Sequence, residues 1–526
     1  MRPISLGIIL LALGLTACKG DLSSPGGSPA VASGGSAGSA GMISAAGQGG
    51  GASTAALAAC AAESPSTIIP VRVRRLSKNE FAQSLQALLG AAPVVSVDFP
   101  VDPLSGGYDT NANDLRVTSL LANTLFDAVP ALAAQAVATM APCDASACAS
   151  QLLGDFAERA YRRAPSAQEL SEIVGVYTAA RAASDAKTAL TRAVSVILQS
   201  PDFLYATELG APDATGKVVQ LLPHELATQL AFLVTGLAPD AELSAAAASG
   251  MLSSRDGREA QARRLLKTAG ARAVWSTFAT QWFELAEIDK LEKDVTAFPD
   301  WKAVRPKLVS DAQTFLTGHV LDQNATFTEL LNAGLLTQQA FLARHAQSLD
   351  DSPVQRGHFV RSRMLCQDIP PPPPTLKVTL PPPDPTLTTR ERIVAHTASE
   401  TCQGCHALMN PIGFAFEGFD AMGRPRSMDN GKPVDTSGEL TGSDVDGTFH
   451  GPEELASKLA QSASARECFA RQWFQFASGM PLATDSARAA VAKEAAPFIH
   501  GSQSVADLTI SLLGSDIFST RCRGEN

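Results

Sequence analysis

The chain has 526 residues, enough for on the order of two to four packed units once a leader is removed. Its formal net charge is −10 and it carries no basic stripe, which argues against nucleic acid as a partner. Apolar residues make up 45%, rich in alanine, and aromatics only 6%. That balance suits helices packed on helices, so the expected fold class is mainly α: several packed helical domains and a small irregular region around a Cys-x-x-Cys-His turn.

In chain order, the first feature is a leader. Arg2 is the only charge before Cys18, and Ile4 to Leu15 is apolar apart from Ser5 and two glycines. A short basic start, an apolar stretch and a small-residue cleavage site predict a secretory signal over 1–17. The stretch is shorter than the roughly 20 apolar residues that a spanning helix needs. Leu15-Thr16-Ala17-Cys18 resembles the bacterial lipobox, in which the new N-terminal cysteine is acylated. Lys19, rather than Asp, implies by the same resemblance sorting to the outer membrane, on its periplasmic face or at the cell surface. Beyond Gly20 the chain is mostly Gly, Ser and Ala, with Asp21 the only charge in that stretch. Such a composition cannot bury enough surface to fold, so 18–66 is read as lipid anchor and flexible linker. No later segment reads as long and apolar enough to span a bilayer, so the membrane is expected as a partner through lipid alone.

The first ordered helix is expected from Ser77. Ser77-Lys78-Asn79-Glu80 fits a capping box, Leu76 and Phe81 are placed to form the hydrophobic staple, and Gly90 can stop the helix. A second capping box, Ser166-Ala167-Gln168-Glu169, leads into Leu170, Ile173, Val174 and Tyr177. Residues 188–199 read as a mostly buried helix that stops near Pro201, and Pro223 starts another through Glu225, Leu226, Leu230 and Leu233. Leu198-Gln199-Ser200-Pro201-Asp202-Phe203 echoes Leu513-Gly514-Ser515-Asp516-Ile517-Phe518, as two copies of one helix-ending device would. Pro370 to Pro374, with Pro381 to Pro383 and Pro385, reads as a stiff spacer between domains. A hairpin is expected around 433–450. Asp444-Val445-Asp446-Gly447 starts like a calcium loop, but the position that needs a bidentate Glu is Leu455, so a turn is expected. The body divides into an N-terminal helical domain (67–142), a second helical domain (143–210), a central one (218–348), a Pro-rich and Cys-x-x-Cys-His domain (350–450) and a C-terminal helical domain (451–526).

Nine cysteines are present. With Cys18 set aside for lipid and Cys402 and Cys405 for the motif, Cys60, Cys143, Cys148, Cys366, Cys468 and Cys522 remain. An even remainder in an exported chain predicts disulfides, and six cysteines allow about fifteen connectivities. Cys143 and Cys148 are close enough for a local loop; Cys468 and Cys522 could clip the last domain.

Cys402-Gln403-Gly404-Cys405-His406 has the spacing of c-type haem attachment. Two thiols a helical turn apart can each add to a vinyl group of one porphyrin, and the next residue aims an imidazole at the iron. By composition the run would arise by chance about two times in a thousand. Two other readings stay open: a Cys402–Cys405 disulfide, structural or redox-active, and a zinc site using His396, Cys402, Cys405 and His406. For the distal side of a haem, His396, Met422, Met428, His450 and Met480 are candidates; Met409, about one turn past His406, belongs to the proximal side.

Thr389-Arg390-Glu391-Arg392, His396, Cys402-x-x-Cys405-His406-x-x-Met409-Asn410-Pro411-Ile412-Gly413-Phe414, Glu417-x-Phe419-Asp420 and Gly423 together resemble the cytochrome-like exported proteins of planctomycetes and myxobacteria, which carry a string of domains of unknown function. Arg74 to Phe81, Ala160 to Pro165, Ser200 to Tyr205, Leu226 to Asp240 and Cys468 to Phe474 extend the resemblance over nearly the whole body. The resemblance implies the architecture; activity in that family is largely unassigned. The reading is an exported mono-haem c-type electron-transfer lipoprotein, with covalent haem c on Cys402 and Cys405, His406 on the iron and a redox protein as partner. The alternative is a non-redox binding or scaffold lipoprotein with a structural Cys402–Cys405 bond, linked to the use of extracellular polymers. Catalytic residues are not assigned.

Overall fold

The computed structural model describes residues 60–523, apart from Ala61, Glu63, Pro65, Pro142, Asp144, Ala145, Asp213 and the segment 371–383. The expected signal, Cys18, most of the linker and most of the proline run lie outside the described residues. The fold is mainly α. Its principal elements are β1 (Arg72–Arg75), α1 (Lys78–Leu89), α2 (Ser119–Ala138), α3 (Ser146–Tyr161), α4 (Ala167–Arg181), α5 (Ala186–Gln199), β2 (Tyr205–Glu208), β3 (Val218–Gln220) and α6 (Pro223–Thr235). There follow α7 (Arg255–Leu265), α8 (Ala269–Trp282), α9 (Trp301–Thr317), α10 (Pro353–Phe359), α11 (Thr389–His396), α12 (Glu400–Gly413), β4 (Ser437–Leu440), β5 (Gly447–His450), α13 (Gly451–Gln461), α14 (Ala463–Ser478), α15 (Val505–Gly514) and β6 (Thr520–Cys522).

Local chemistry sets the helix ends as the sequence predicts. At α1 the Ser77 hydroxyl accepts from Glu80 N, the Glu80 carboxylate accepts from Ser77 N at 2.8 Å, and Gly90 closes the helix at φ 68°. Ser166 and Glu169 repeat the arrangement at α4. The sequence echo is a shared device. After α5, Ser200 leads into a short turn of helix, Pro201–Leu204, and then β2; after α15, Ser515 leads into Asp516–Ser519 and then β6.

Two hydrophobic cores hold the body. The first joins α1–α5 through Phe81, Leu125, Leu153, Tyr177, Leu190 and Ile197, so the segments read as 67–142 and 143–210 share one interior. By length and composition α2 is apolar enough to cross a membrane, contrary to the sequence expectation, but Leu121, Leu125, Val129 and Leu132 on it are buried in this core against α5. Helix α6 spans both cores, giving Phe232 to the first and Leu226, Leu230 and Val234 to the second. In the second, Trp275 of α8 stacks on Trp473 of α14 with ring centroids 3.9 Å apart, Phe278 packs edge-on against both, and Trp282 and Phe469 pack on Phe278. Ile412, Ala415 and Phe416, at and just past the end of α12, belong to this same core.

The described strands pair only in twos: β1 with β2, β3 with β6, β4 with β5, and Met428–Asp429 with Lys432–Pro433, all antiparallel. The β4–β5 pair is the hairpin expected around 433–450, and residues 428–433 form a second one before it. Six cysteines form three disulfides, Cys60–Cys522, Cys143–Cys148 and Cys366–Cys468. The local loop is as expected; the Cys468–Cys522 clip is not formed, because each of those cysteines faces a chain segment remote in sequence.

Candidate functional site

Helix α12 carries the Cys-x-x-Cys-His turn in its first two turns, at the surface. Its C-terminal half is clamped. A methyl group on Gly413 would run into the Pro353 carbonyl, one on Gly357 into the Met409 carbonyl, and one on Gly438 into the Pro411 carbonyl. Only glycine lets α10 and β4 approach this closely. Pro411 leaves the Ala407 carbonyl without its helical donor; one residue on, Arg361 Nε donates to the Leu408 carbonyl at 2.9 Å. Helix α11 is fixed alongside. The Arg390 guanidinium lies 4.2 Å from the Phe414 ring centroid and donates to the Ser437 carbonyl at 2.6 Å.

On this frame Cys402, Cys405 and His406 are half-buried. Cys402 and Cys405 are free thiols, whereas the six other described cysteines are paired. The structural disulfide of the alternative reading is therefore not formed here. His406 Nδ1 lies 3.1 Å from Asn410 Oδ1, one helical turn along. Asn410, which is buried, donates from Nδ2 to Thr397 Oγ1 at 3.1 Å, and the Thr397 hydroxyl donates to the Ile393 carbonyl at 2.8 Å. The imidazole is thus held on one nitrogen by a chain that ends on the backbone of α11. Two thiols and an anchored imidazole on consecutive turns of a rigid helix fit the donor set that c-type haem attachment requires.

Past the C-terminal end of α12 lies a buried ionic cluster. Asp351 is fully buried and accepts from Arg426 at 2.8 Å, with Arg356 at 3.5 Å. Arg426 also reaches Glu417 at 3.4 Å and Asp429 at 3.3 Å. The two Nη groups of Arg356 donate to the carbonyls of Leu342, Phe416, Phe419 and Asp420. Asp429 accepts from Thr389 N, and Asp350 pairs with Arg392 at 2.9 Å, so the cluster seats the start of α11. Burial, reinforced by the neighbouring Asp351 carboxylate, pushes Glu417 well above the usual carboxylate range. Burial also raises Asp351, against the pull of Arg356 and Arg426. Nothing local in the sequence marks Asp351, and the signal for Glu417 is an acid set among Phe414, Phe416 and Phe419.

The other candidates are dispersed. His396 and His450 are exposed, and Met428 is 49% exposed. Met422 is fully buried in the second core, Met480 is half-buried against it, and Met409 is on the buried face of α12. Among the described residues no group of three or more His, Cys, Asp or Glu is arranged to hold a metal, which does not support the four-ligand zinc reading. Asp444 accepts from the Ser462 hydroxyl and from Ser464 N, and so secures the start of α14 within a turn.

Five family models match in series, each described as a protein of unknown function: DUF1587 over 74–138, DUF1595 over 148–208, DUF1592 over 221–346, DUF1588, labelled PSCyt3, over 332–429, and DUF1585 over 446–518. The chain belongs to the multidomain family built from this string of domains. The DUF1588 match contains α10, α11, α12 and the whole ionic cluster, while β4, which packs on α12 through Gly438, lies beyond it. In this chain the matched segments do not each have a core: the DUF1587 and DUF1595 segments lie mainly in the first and the other three mainly in the second, with Tyr108 and Phe232 crossing over. Comparison with curated proteins and with solved structures finds no match.

Proposed function

We propose that this chain is an exported mono-haem electron-transfer protein of c type. Cys402 and Cys405 would hold the haem through thioethers and His406 would bind its iron. The carrying observation is that these are the two unpaired thiols among the described cysteines, on the same helical turns as an imidazole anchored through its other nitrogen. The cytochrome label of the PSCyt3 model over 332–429 supports the same reading. Bound haem supplies a one-electron couple; the chain supplies a rigid helix, a fixed imidazole and an open surface at the turn. Three disulfides fit an oxidising compartment, which is where such attachment takes place.

The test is a pyridine haemochrome spectrum of the full chain, exported by a host competent for c-type maturation. The wild type is expected to carry one covalent haem. Cys402→Ser with Cys405→Ser should abolish covalent haem, and His406→Ala should abolish maturation or change the spectrum while the helical circular dichroism stays. A wild type without covalent haem would overturn the reading and leave a binding or scaffold role in its place.

The anchoring part of the reading rests on Leu15-Thr16-Ala17-Cys18. Cys18→Ser is expected to release the protein from the membrane fraction or to block its processing. Unchanged fractionation together with unchanged mass would exclude lipidation at that residue.

A further inference from the structure

We infer that Asn410, oriented by Thr397, is a positioning residue that fixes His406 in the Nδ1–H tautomer and leaves Nε2 as the ligand nitrogen. The inference deepens the proposed haem reading and rests on it for its purpose, though not for its test. The Thr397 hydroxyl has one hydrogen, and the Ile393 carbonyl at 2.8 Å takes it. Toward Asn410, 3.1 Å away, Thr397 Oγ1 can therefore only accept. That turns the amide so that Nδ2 faces Thr397 and Oδ1 faces His406. An amide oxygen cannot donate, so the 3.1 Å contact to His406 Nδ1 forms only if Nδ1 carries the proton. Neutral imidazole has one N–H, so Nε2 keeps its lone pair.

The environment holds this arrangement. Asn410 is 6% exposed and Thr397 7%, so water competes poorly for either. A flipped amide would set its NH2 group against the only imidazole nitrogen in reach and an oxygen against a hydroxyl whose hydrogen is already used. A side chain that both orients an axial histidine and sets its tautomer raises the basicity of the ligand nitrogen, as hydrogen-bonded partners of metal-bound imidazoles do. Here the partner is a side-chain amide on the same helix, four residues on. It is referenced to a second helix, α11, which the Asp429 and Asp350 contacts seat in turn.

The decisive measurement needs no haem. Full-length protein with Cys402→Ser and Cys405→Ser, exported and labelled with 15N-histidine, gives ring-nitrogen shifts that report the tautomer; His406→Gln in the same background assigns the resonance. The expected result is Nδ1–H for His406. Asn410→Leu should shift the tautomer ratio toward Nε2–H by about five- to tenfold, the scale of one net hydrogen bond. Thr397→Val should shift it in the same direction by less, and Asn410→Asp, which keeps an acceptor, should restore Nδ1–H. An Nε2–H tautomer in the parent, or a ratio unmoved by Asn410→Leu, would overturn the inference. In haem-loaded protein with both cysteines present, Asn410→Leu should raise the midpoint potential and Asn410→Asp lower it; equal potentials in all three would also overturn it. A wild type that binds no haem but shows the Nδ1–H tautomer would refute the functional reading and support the positioning role of Asn410.

Discussion

Glu208→Ala is expected to destabilise the protein by about 3–5 kcal/mol, the cost of leaving buried charges without their partner. Glu208 is fully buried on β2, opposite Arg72 of β1, which it pairs with at 2.8 Å. From the other side Arg521 of β6 donates to the second carboxylate oxygen. Burial alone would raise the Glu208 pKa, but Arg521 and then Arg72 hold it below the usual range. The carboxylate therefore contributes stability above its ordinary pKa, and that contribution is lost as the pH falls through the lowered one. Removing it leaves the Arg521 charge, whose side chain is 2% exposed, without its counter-ion, although Arg521 Nη1 keeps the Phe518 and Thr520 carbonyls and Arg72 keeps the Ser478 carbonyl at 2.7 Å. Glu208→Leu combined with Arg521→Met should recover much of the loss, because an apolar replacement removes both the charge and its orphan. Urea denaturation of the single and double variants checks this. A single-variant loss under about 1 kcal/mol would mean that water reaches the pair.

That ion pair illustrates what the sequence could not reveal. Arg72 and Arg521 stand at opposite ends of the body, and Glu208 joins two separate ladders, β1–β2 and β3–β6. Neither ladder has an alternating stretch long enough to signal a strand: β1 is Arg-Val-Arg-Arg and β6 is Thr-Arg-Cys. The pairing comes from non-local contacts, as does the Cys60–Cys522 bond beside it. What depends on a few neighbouring residues was legible. The capping boxes at Ser77 and Ser166, the Pro223 start and the Ser200 and Ser515 stops each satisfy backbone groups within three or four positions.

The site divides along the same line. Cys402, Cys405 and His406 are contiguous, so their shared turn followed from spacing. Asn410 was half-legible: four residues beyond His406 on a helix, it must lie on the same face. Thr397 was not, since it precedes α12 and reaches Asn410 only because α11 lies alongside. The glycines that permit this closeness, Gly357, Gly413 and Gly438, come from three different elements and gave no common signal before the fold was known.

The buried cluster past the end of α12 carries the other large effect. Asp351, Glu417 and Asp429 all lie within 3.4 Å of Arg426, with Arg356 3.5 Å from Asp351, so three acids face two bases. Glu417 and Asp351 are the raised pair, and Glu417 Oε1 has no hydrogen-bond partner. Arg426→Met would leave all three acids with Arg356 alone, at a cost of about 3–5 kcal/mol at neutral pH. Glu417→Gln should behave in the opposite way. It leaves two carboxylates against two guanidiniums and should cost under about 1 kcal/mol or stabilise the fold. A carboxyl whose folded pKa lies above its unfolded value binds more protons in the folded state, so its stabilising share is largest at acid pH and is lost as the pH rises through the raised value. The wild type should therefore lose stability from this cluster as the pH rises from the ordinary carboxylate range toward the raised value, and Glu417→Gln should flatten that slope. The Arg426→Met deficit should likewise shrink as the pH is lowered and the acids take up protons. Urea denaturation at matched ionic strength across pH 5 to 8 separates these cases. A deficit in Arg426→Met that does not change with pH, or a loss in Glu417→Gln as large as that in Arg426→Met, would mean that Glu417 is ionised in the folded protein and that its charge is needed to balance the cluster.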